Sequence, residues 1–172
     1  MISILFLRQG TSFTKSTELR VINYIKIRIP LYHPTAMKRN KPSAPAKWIH
    51  DNIGFDHHNT LDYGCGKGFD ANHYNIVGWD PTFDWTLNED LRWDTILCTY
   101  VLNVIPYKKE RQEVLSKIKS LLTDEGVAYI TVRADKKNLN GYTKTGSYQE
   151  FIELDLPIVK KTSSYLIYEL RP

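Results

Sequence analysis

Thr60-Leu-Asp-Tyr-Gly-Cys-Gly-Lys-Gly68, followed by Phe69-Asp-Ala-Asn-His-Tyr74 and Asn75-Ile-Val-Gly-Trp-Asp80, is the stretch on which the fold turns. Its first four residues have the β-branched and apolar character of a short strand. Three glycines at alternate positions then punctuate the chain, and the next six residues suffice for only about two helical turns. Residues 75–79 read as a second strand, which ends at Asp80. Strand, glycine turn, helix and strand in this order make a βαβ unit, and a βαβ unit implies parallel strands.

Outward from this unit the alternation continues. Residues 94–99 form an apolar run typical of a buried strand. Residues 107–122 place Val114, Leu115, Ile118, Leu121 and Leu122 on one helical face, Gly126 marks the exit of that helix, and residues 127–133 predict another strand. Residues 157–161 and 164–170 predict a terminal hairpin. On the amino side, the proline-broken stretch 33–45 is a lead-in loop and residues 46–52 a short helix. Two apolar runs, 2–7 and 21–29, read as strands without evident partners. The expected fold class is therefore α/β: one Rossmann-like domain whose mainly parallel sheet closes on an antiparallel C-terminal hairpin.

A chain of 172 residues accommodates one such domain and hardly two. Cys65 and Cys98 stand far apart with no CxxC spacing, which argues against a disulfide framework or a zinc site and favours a cytoplasmic protein. The apolar amino terminus is too short for a membrane span and meets Arg8 and Lys15 early, so no membrane partner is expected. The net charge of +4 is unevenly spread: residues 1–50 hold nine Lys or Arg against the single acid Glu18. Residues 1–32 thus read as a basic extension ahead of a domain at 33–172. Such a segment suits nucleic acid through phosphate neutralisation, and it equally suits a solubilising tail.

The glycine turn carries the chemistry. G-x-G-x-G differs from the G-x-G-x-x-G fingerprint that seats a pyrophosphate on a helix N-terminus. A carboxylate two residues before the first glycine, Asp62, is a poor neighbour for phosphate and a good one for a cation or amine. S-adenosylmethionine carries a sulfonium and an α-amino group and no phosphate. At the end of the next strand Asp80 can accept hydrogen bonds from vicinal ribose hydroxyls, each charge-assisted bond contributing roughly 1.5–3 kcal/mol.

These residues resemble the class I S-adenosylmethionine-dependent methyltransferases. Leu61-Asp-Tyr-Gly-Cys-Gly-Lys-Gly68 is similar to their first motif and Gly78-Trp-Asp80 to their second. Trp93-Asp-Thr-Ile-Leu-Cys-Thr-Tyr-Val-Leu-Asn-Val-Ile105 is similar to the fourth strand and the segment after it, and Leu121-Leu-Thr-Asp-Glu-Gly-Val-Ala-Tyr-Ile-Thr-Val132 to the next helix–turn–strand. In a narrower likeness, His33-Pro-Thr-Ala-Met37, the combination of Tyr63-Gly-Cys-Gly-Lys-Gly68 with Gly78-Trp-Asp-Pro81, and Tyr100-Val-Leu-Asn-Val-Ile105 are similar to methyltransferases associated with DNA phosphorothioation and to small phage or plasmid relatives. The resemblance implies S-adenosylmethionine as cofactor, held by Asp62, Gly64, Cys65, Gly66, Gly68, Asp80, Pro81, Thr99 and Tyr100. The chain departs from the superfamily between its second and fourth strands, where only a shortened segment fits. Leu87, Asn88 and Asp90 are the residues left there to meet an adenine.

The methyl acceptor is less legible, because in-line transfer from a sulfonium depends on placement more than on acid–base machinery. Cys98-Thr-Tyr-Val-Leu-Asn103 replaces the Asn/Asp-Pro-Pro-Tyr/Phe cluster of enzymes that methylate exocyclic amines of bases. Cys98, inside an apolar strand, reads as a structural thiol. Tyr100 and Asn103 are the catalytic candidates, Tyr100 lining an acceptor pocket and Asn103 bonding cofactor or substrate; the alternative is that Tyr100 packs and Asn103 caps a turn. Arg133, Asp135 and the polar loop 141–149 lie at the same edge as a lid or recognition loop, or as an ordinary connection. The five histidines show no ligand spacing. Nucleic acid or a nucleotide is the preferred acceptor, and a non-catalytic S-adenosylmethionine-binding accessory module is the alternative function. A nicotinamide-binding protein is disfavoured by the glycine spacing.

Overall fold

The computed structural model describes residues 36–83, 87–135 and 137–172, which belong to one compact unit, Tyr32–Pro172. The basic extension 1–32, its two strand-like runs and His33 lie outside the described residues.

The elements are α1 (Ala44–Asn52), β1 (Thr60–Tyr63), α2 (Phe69–Tyr74), β2 (Val77–Trp79), β3 (Trp93–Thr99), a 3-10 turn (Leu102–Val104), α3 (Lys108–Ser120), β4 (Leu122–Arg133), β5 (Asn140–Tyr142), β6 (Tyr148–Glu150), β7 (Ile158–Lys161) and β8 (Tyr165–Leu170). Six strands form one sheet in the order β2-β1-β3-β4-β8-β7, and β5 and β6 pair separately. β1 pairs in parallel with β2 and β3, and β3 in parallel with β4, whereas β8 runs antiparallel to β4 and to β7. This is the Rossmann-like α/β fold expected from the alternation of strand and helix, with the antiparallel hairpin at its C-terminal edge.

Strand alternation divides the core into two faces. Leu61, Tyr63, Ile96, Cys98, Ile130 and Val132 pack with Ile118 and Leu121 of the α3 region. Leu97, Tyr129 and Ile167 face the other way, onto Ala46 and Ile49 of α1 and Ala71 and Tyr74 of α2. Asp62 lies between Leu61 and Tyr63 and registers with Leu97, so it belongs to the α1–α2 face. Helix α1 begins where Ser43 caps it, its hydroxyl accepting from Ala46 N at 3.2 Å, with a proline in the first turn.

Two local expectations need correction. Gly126 does not end a helix: α3 stops at Ser120 and β4 already starts at Leu122. A side chain at Gly126 would meet the Trp93 carbonyl oxygen at 2.7 Å, so the glycine allows the close, irregular pairing of β3 with β4. The loop 141–149 is largely an antiparallel hairpin, with Gly141 facing Gln149 and Tyr142 facing Tyr148. The shortening between Asp80 and β3 is present as expected, since the described residues there form turns and no strand.

Candidate functional site

Adjacent strands β1 and β3 connect in opposite directions, β1 through α2 to β2 and β3 through α3 to β4. Their carboxyl ends therefore open at the switch point of the sheet, the usual ligand crevice of an open α/β fold. The glycine turn sits there. Gly64 N and Cys65 N both donate to the Trp79 carbonyl, at 2.7 and 3.0 Å, tying the turn to the end of β2. Gly66 N donates to Asp80 Oδ2 at 2.8 Å, while Thr82 N and Thr82 Oγ1 donate to Asp80 Oδ1 at 2.9 and 2.6 Å. A carboxylate offers about four acceptor positions, so Asp80 keeps one while it clamps the two loops together.

Gly64, Gly66 and Gly68 have φ of 80°, 57° and 72°, a region costly for residues with a Cβ. The space that their missing side chains leave is not open to a ligand at two of the three. A Cβ at Gly64 would lie 2.3 Å from Val101 Cγ2, and one at Gly66 would lie 2.7 Å from Ala36 Cβ. Gly66 is buried, with Ala36 of the segment preceding α1 against its Cα. Any ligand at this edge meets the neighbouring face of the sheet rather than the Cα of Gly66.

At its carboxyl edge that face presents acids and hydroxyls, beyond the apolar cluster of Leu97, Tyr129 and Ile167. Asp62 is 4% exposed, and among the described residues no hydrogen bond reaches its carboxylate. Burial pushes its pKa up to about 8, Asp70 and Asp80 push the same way, and the Arg39 guanidinium opposes them. Asp70 is engaged, Oδ1 accepting from Ser43 N at 2.8 Å. Thr99 registers with Thr131 on the same face as Asp62, and the buried hydroxyl oxygens of both lack a hydrogen-bond partner among the described residues. Buried polar groups without partners are uncommon, and the two hydroxyls on the face that carries Asp62 fit a polar ligand. Cys65 is pushed up to about 12, first by burial and then by Asp62 and Asp80, so it stays a neutral thiol beside the turn. Cys98 is fully buried and its pKa is raised by burial, in keeping with a structural role.

Tyr100, immediately after β3, takes φ 61° and is half-buried, its amide donating to the Thr131 carbonyl at 3.0 Å. A left-handed tyrosine is strained, and its position at the switch point is where such strain tends to be functional. Burial pushes its phenol up to about 12, so it is a hydrogen-bonding phenol and no base at neutral pH. Asn103 is fully buried, with Nδ2 donating to the Glu150 carbonyl at 2.7 Å and Oδ1 accepting from Arg133 N at 2.9 Å. Both ends of its amide bond backbone and the side chain is fully buried, so Asn103 ties the 3-10 turn to β4 and to the β5–β6 hairpin, the turn-holding alternative to a direct catalytic contact. Arg133 and Asp135 pair with each other at 2.7 Å.

Pro81 is exposed beside Asp80, Asn88 Oδ1 accepts from Asp90 N in a local exposed turn, and Leu87 packs on the α3-side core. Sequence reasoning missed Arg39, Ser43 and Thr131. The first two belong to a stretch read as a lead-in loop, and Thr131 is marked only by its register with Thr99. Histidines 50, 57, 58 and 73 line a separate open cleft of about 470 Å³ with Tyr74 and Asn75, at the amino end of the strands. There the His57 Nδ1 lies 2.6 Å from the Tyr74 carbonyl, and no metal-binding group of three assembles among the described residues.

No family model matches the sequence, and no curated protein matches it. Among solved structures, the chain is similar to the DhpI–SAH complex, with a TM-score of 0.52 and 16% identity over 75% of this chain and 83% of that one. It is likewise similar to the DhpI–SAM–HEP complex, with a TM-score of 0.54 and 13% identity over 94% and 100% of the two chains. At these identities the likeness is one of fold.

Proposed function

We propose that this chain is an S-adenosylmethionine-dependent methyltransferase whose cofactor lies along the carboxyl ends of β1, β2 and β3. The observation that carries the reading is the unpartnered, buried carboxyl of Asp62 on the same face as the unpartnered hydroxyls of Thr99 and Thr131, beside a glycine turn clamped by Asp80. A buried carboxyl that ionises only when a cation meets it calls for a cationic, hydrogen-bonding ligand without phosphate. The fold neighbours support it, since those proteins were solved with SAH or SAM.

S-adenosylmethionine, when bound, supplies an electrophilic methyl group that a nucleophile takes by in-line displacement. The residues of this chain would bind and orient it. Asp62 receives the amine, Asp80 receives a ribose hydroxyl on its remaining acceptor position, and the backbone of Gly64, Cys65, Gly66 and Gly68 shapes the turn. Pro81 and Thr99 border the site, and Tyr100 stands at its mouth, lining the acceptor side. Asn103 serves by holding the hairpin in place. The acceptor we favour is nucleic acid or a nucleotide, on the strength of the basic residues in 1–50. The narrower kinship to phosphorothioation-associated and phage enzymes, and the cytoplasmic location, belong to this proposal.

A non-catalytic S-adenosylmethionine-binding module is the second reading, favoured by the reduced segment between β2 and β3. Titration calorimetry with S-adenosylmethionine, S-adenosylhomocysteine and NAD tests the cofactor: binding of NAD alone refutes it. Transfer of tritiated methyl to DNA, RNA or lysate protein then separates enzyme from module.

A further inference from the structure

The segment from Ala36 to Ser43 spans the glycine turn and is anchored at both ends. Ala36 lies where a Gly66 Cβ would sit, and Ser43 N donates to Asp70 Oδ1 at 2.8 Å at the start of α2. Between these anchors stands Arg39, half-buried, its guanidinium near enough to lower the pKa of both Asp62 and Tyr100. Arg39 sits midway along this strap, between the contact of Ala36 with Gly66 at the glycine turn and the hydrogen bond of Ser43 N to Asp70, on the side from which its charge lowers the pKa of Asp62 at the end of β1 and of Tyr100 just after β3. Arg39 nevertheless has no ion pair within 4 Å and no hydrogen bond among the described residues, and Asp62 has none either. A half-buried arginine that makes no bond of its own is a ready partner for an anion.

A strap cation with no partner and a buried carboxyl with no hydrogen bond, both at the glycine turn, call for a group that can meet both, ionising the carboxyl as it binds. The group that fits is a zwitterion, an α-amino acid with its amine toward the acid and its carboxylate toward the guanidinium. We propose that Arg39 binds the carboxylate of the cofactor's amino-acid arm, which makes the strap 36–43 a wall of the cofactor site. This rests on the cofactor reading above. A planar guanidinium meets a carboxylate through two parallel hydrogen bonds, which a lysine ammonium cannot reproduce.

The test is calorimetry on the full chain with two probes, S-adenosylhomocysteine and S-adenosyl-3-thiopropylamine, which keeps the adenosine and the amine and lacks only the carboxylate. The native protein should prefer S-adenosylhomocysteine by at least about tenfold, and in Arg39→Gln that preference should shrink to within about twofold, with the thiopropylamine affinity nearly unchanged. Retained thiopropylamine binding shows that the variant is folded. A preference that survives in Arg39→Gln, a native protein that does not discriminate, or an equal loss of both probes overturns the assignment. If the native protein binds neither probe, the cofactor reading falls and the assignment falls with it.

Discussion

At the residue scale, Asp62 is the most informative side chain, because its carboxyl is displaced upward to about 8 in the ligand-free protein. The unfolded chain loses that proton near the ordinary carboxylate range while the folded chain retains it, so this group lowers stability as pH rises from about 4 toward 8. Asp62→Asn should therefore raise the melting temperature of the ligand-free protein at pH 8 relative to the native chain, with little difference at pH 4. The same displacement makes ligand binding pH-dependent. An amine is received by the ionised form, so S-adenosylhomocysteine affinity should climb by up to about tenfold per unit as pH approaches 8 from below, and Asp62→Asn should flatten the profile. A native profile that is flat between pH 6 and 8 would remove Asp62 from the amine site. Asp80→Ala should weaken the cofactor at least tenfold, about 1.4 kcal/mol, by calorimetry. Gly66→Ala meets both the positive φ and the Ala36 methyl, and should cost on the order of 1–3 kcal/mol in urea denaturation.

At the scale of elements, the β5–β6 hairpin is fastened to the domain through Glu150. Its carbonyl accepts from Asn103, and its carboxylate accepts from Tyr148 OH at 2.8 Å and pairs with Arg111, whose Nη1 also donates to the Ile105 carbonyl at 3.0 Å. The hydrogen bonds from Arg111 and Tyr148 hold the Glu150 carboxyl below the ordinary range, against the effect of burial. Asn103→Ala leaves the Arg133 amide and the Glu150 carbonyl without partners, which should cost about 1–3 kcal/mol in global stability. It should also raise hydrogen exchange in residues 140–150 above that of the native chain. Unchanged exchange there would mean that the hairpin is held by other contacts.

At the scale of the whole molecule, the paired cores on the two faces of the sheet give a rigid frame, and the site sits at one edge of it. Ligand that binds only the folded state stabilises it by mass action, about 2.7 kcal/mol at a hundredfold excess over Kd. S-adenosylhomocysteine should accordingly raise the melting temperature, and NAD at the same concentration should not. No helix among the described residues is long and apolar enough to cross a membrane.

Local chemistry was sufficient for much of this. The strand Thr60–Tyr63, the six-residue helix Phe69–Tyr74 and the C-terminal hairpin follow from periodicity and glycine placement, because short-range sterics and alternation of apolar residues decide them. The pairing of Asp62 with Asp80 around a glycine turn is legible for the same reason, since a βαβ unit fixes which strand ends are neighbours. Contacts between segments distant in the chain are not written in any local pattern. Ala36 against Gly66, Val101 against Gly64 and the backbone bonds of Asn103 came only from the packed structure. Each depends on which side chain reaches a given space first when two remote segments are brought together, and composition and spacing are blind to that.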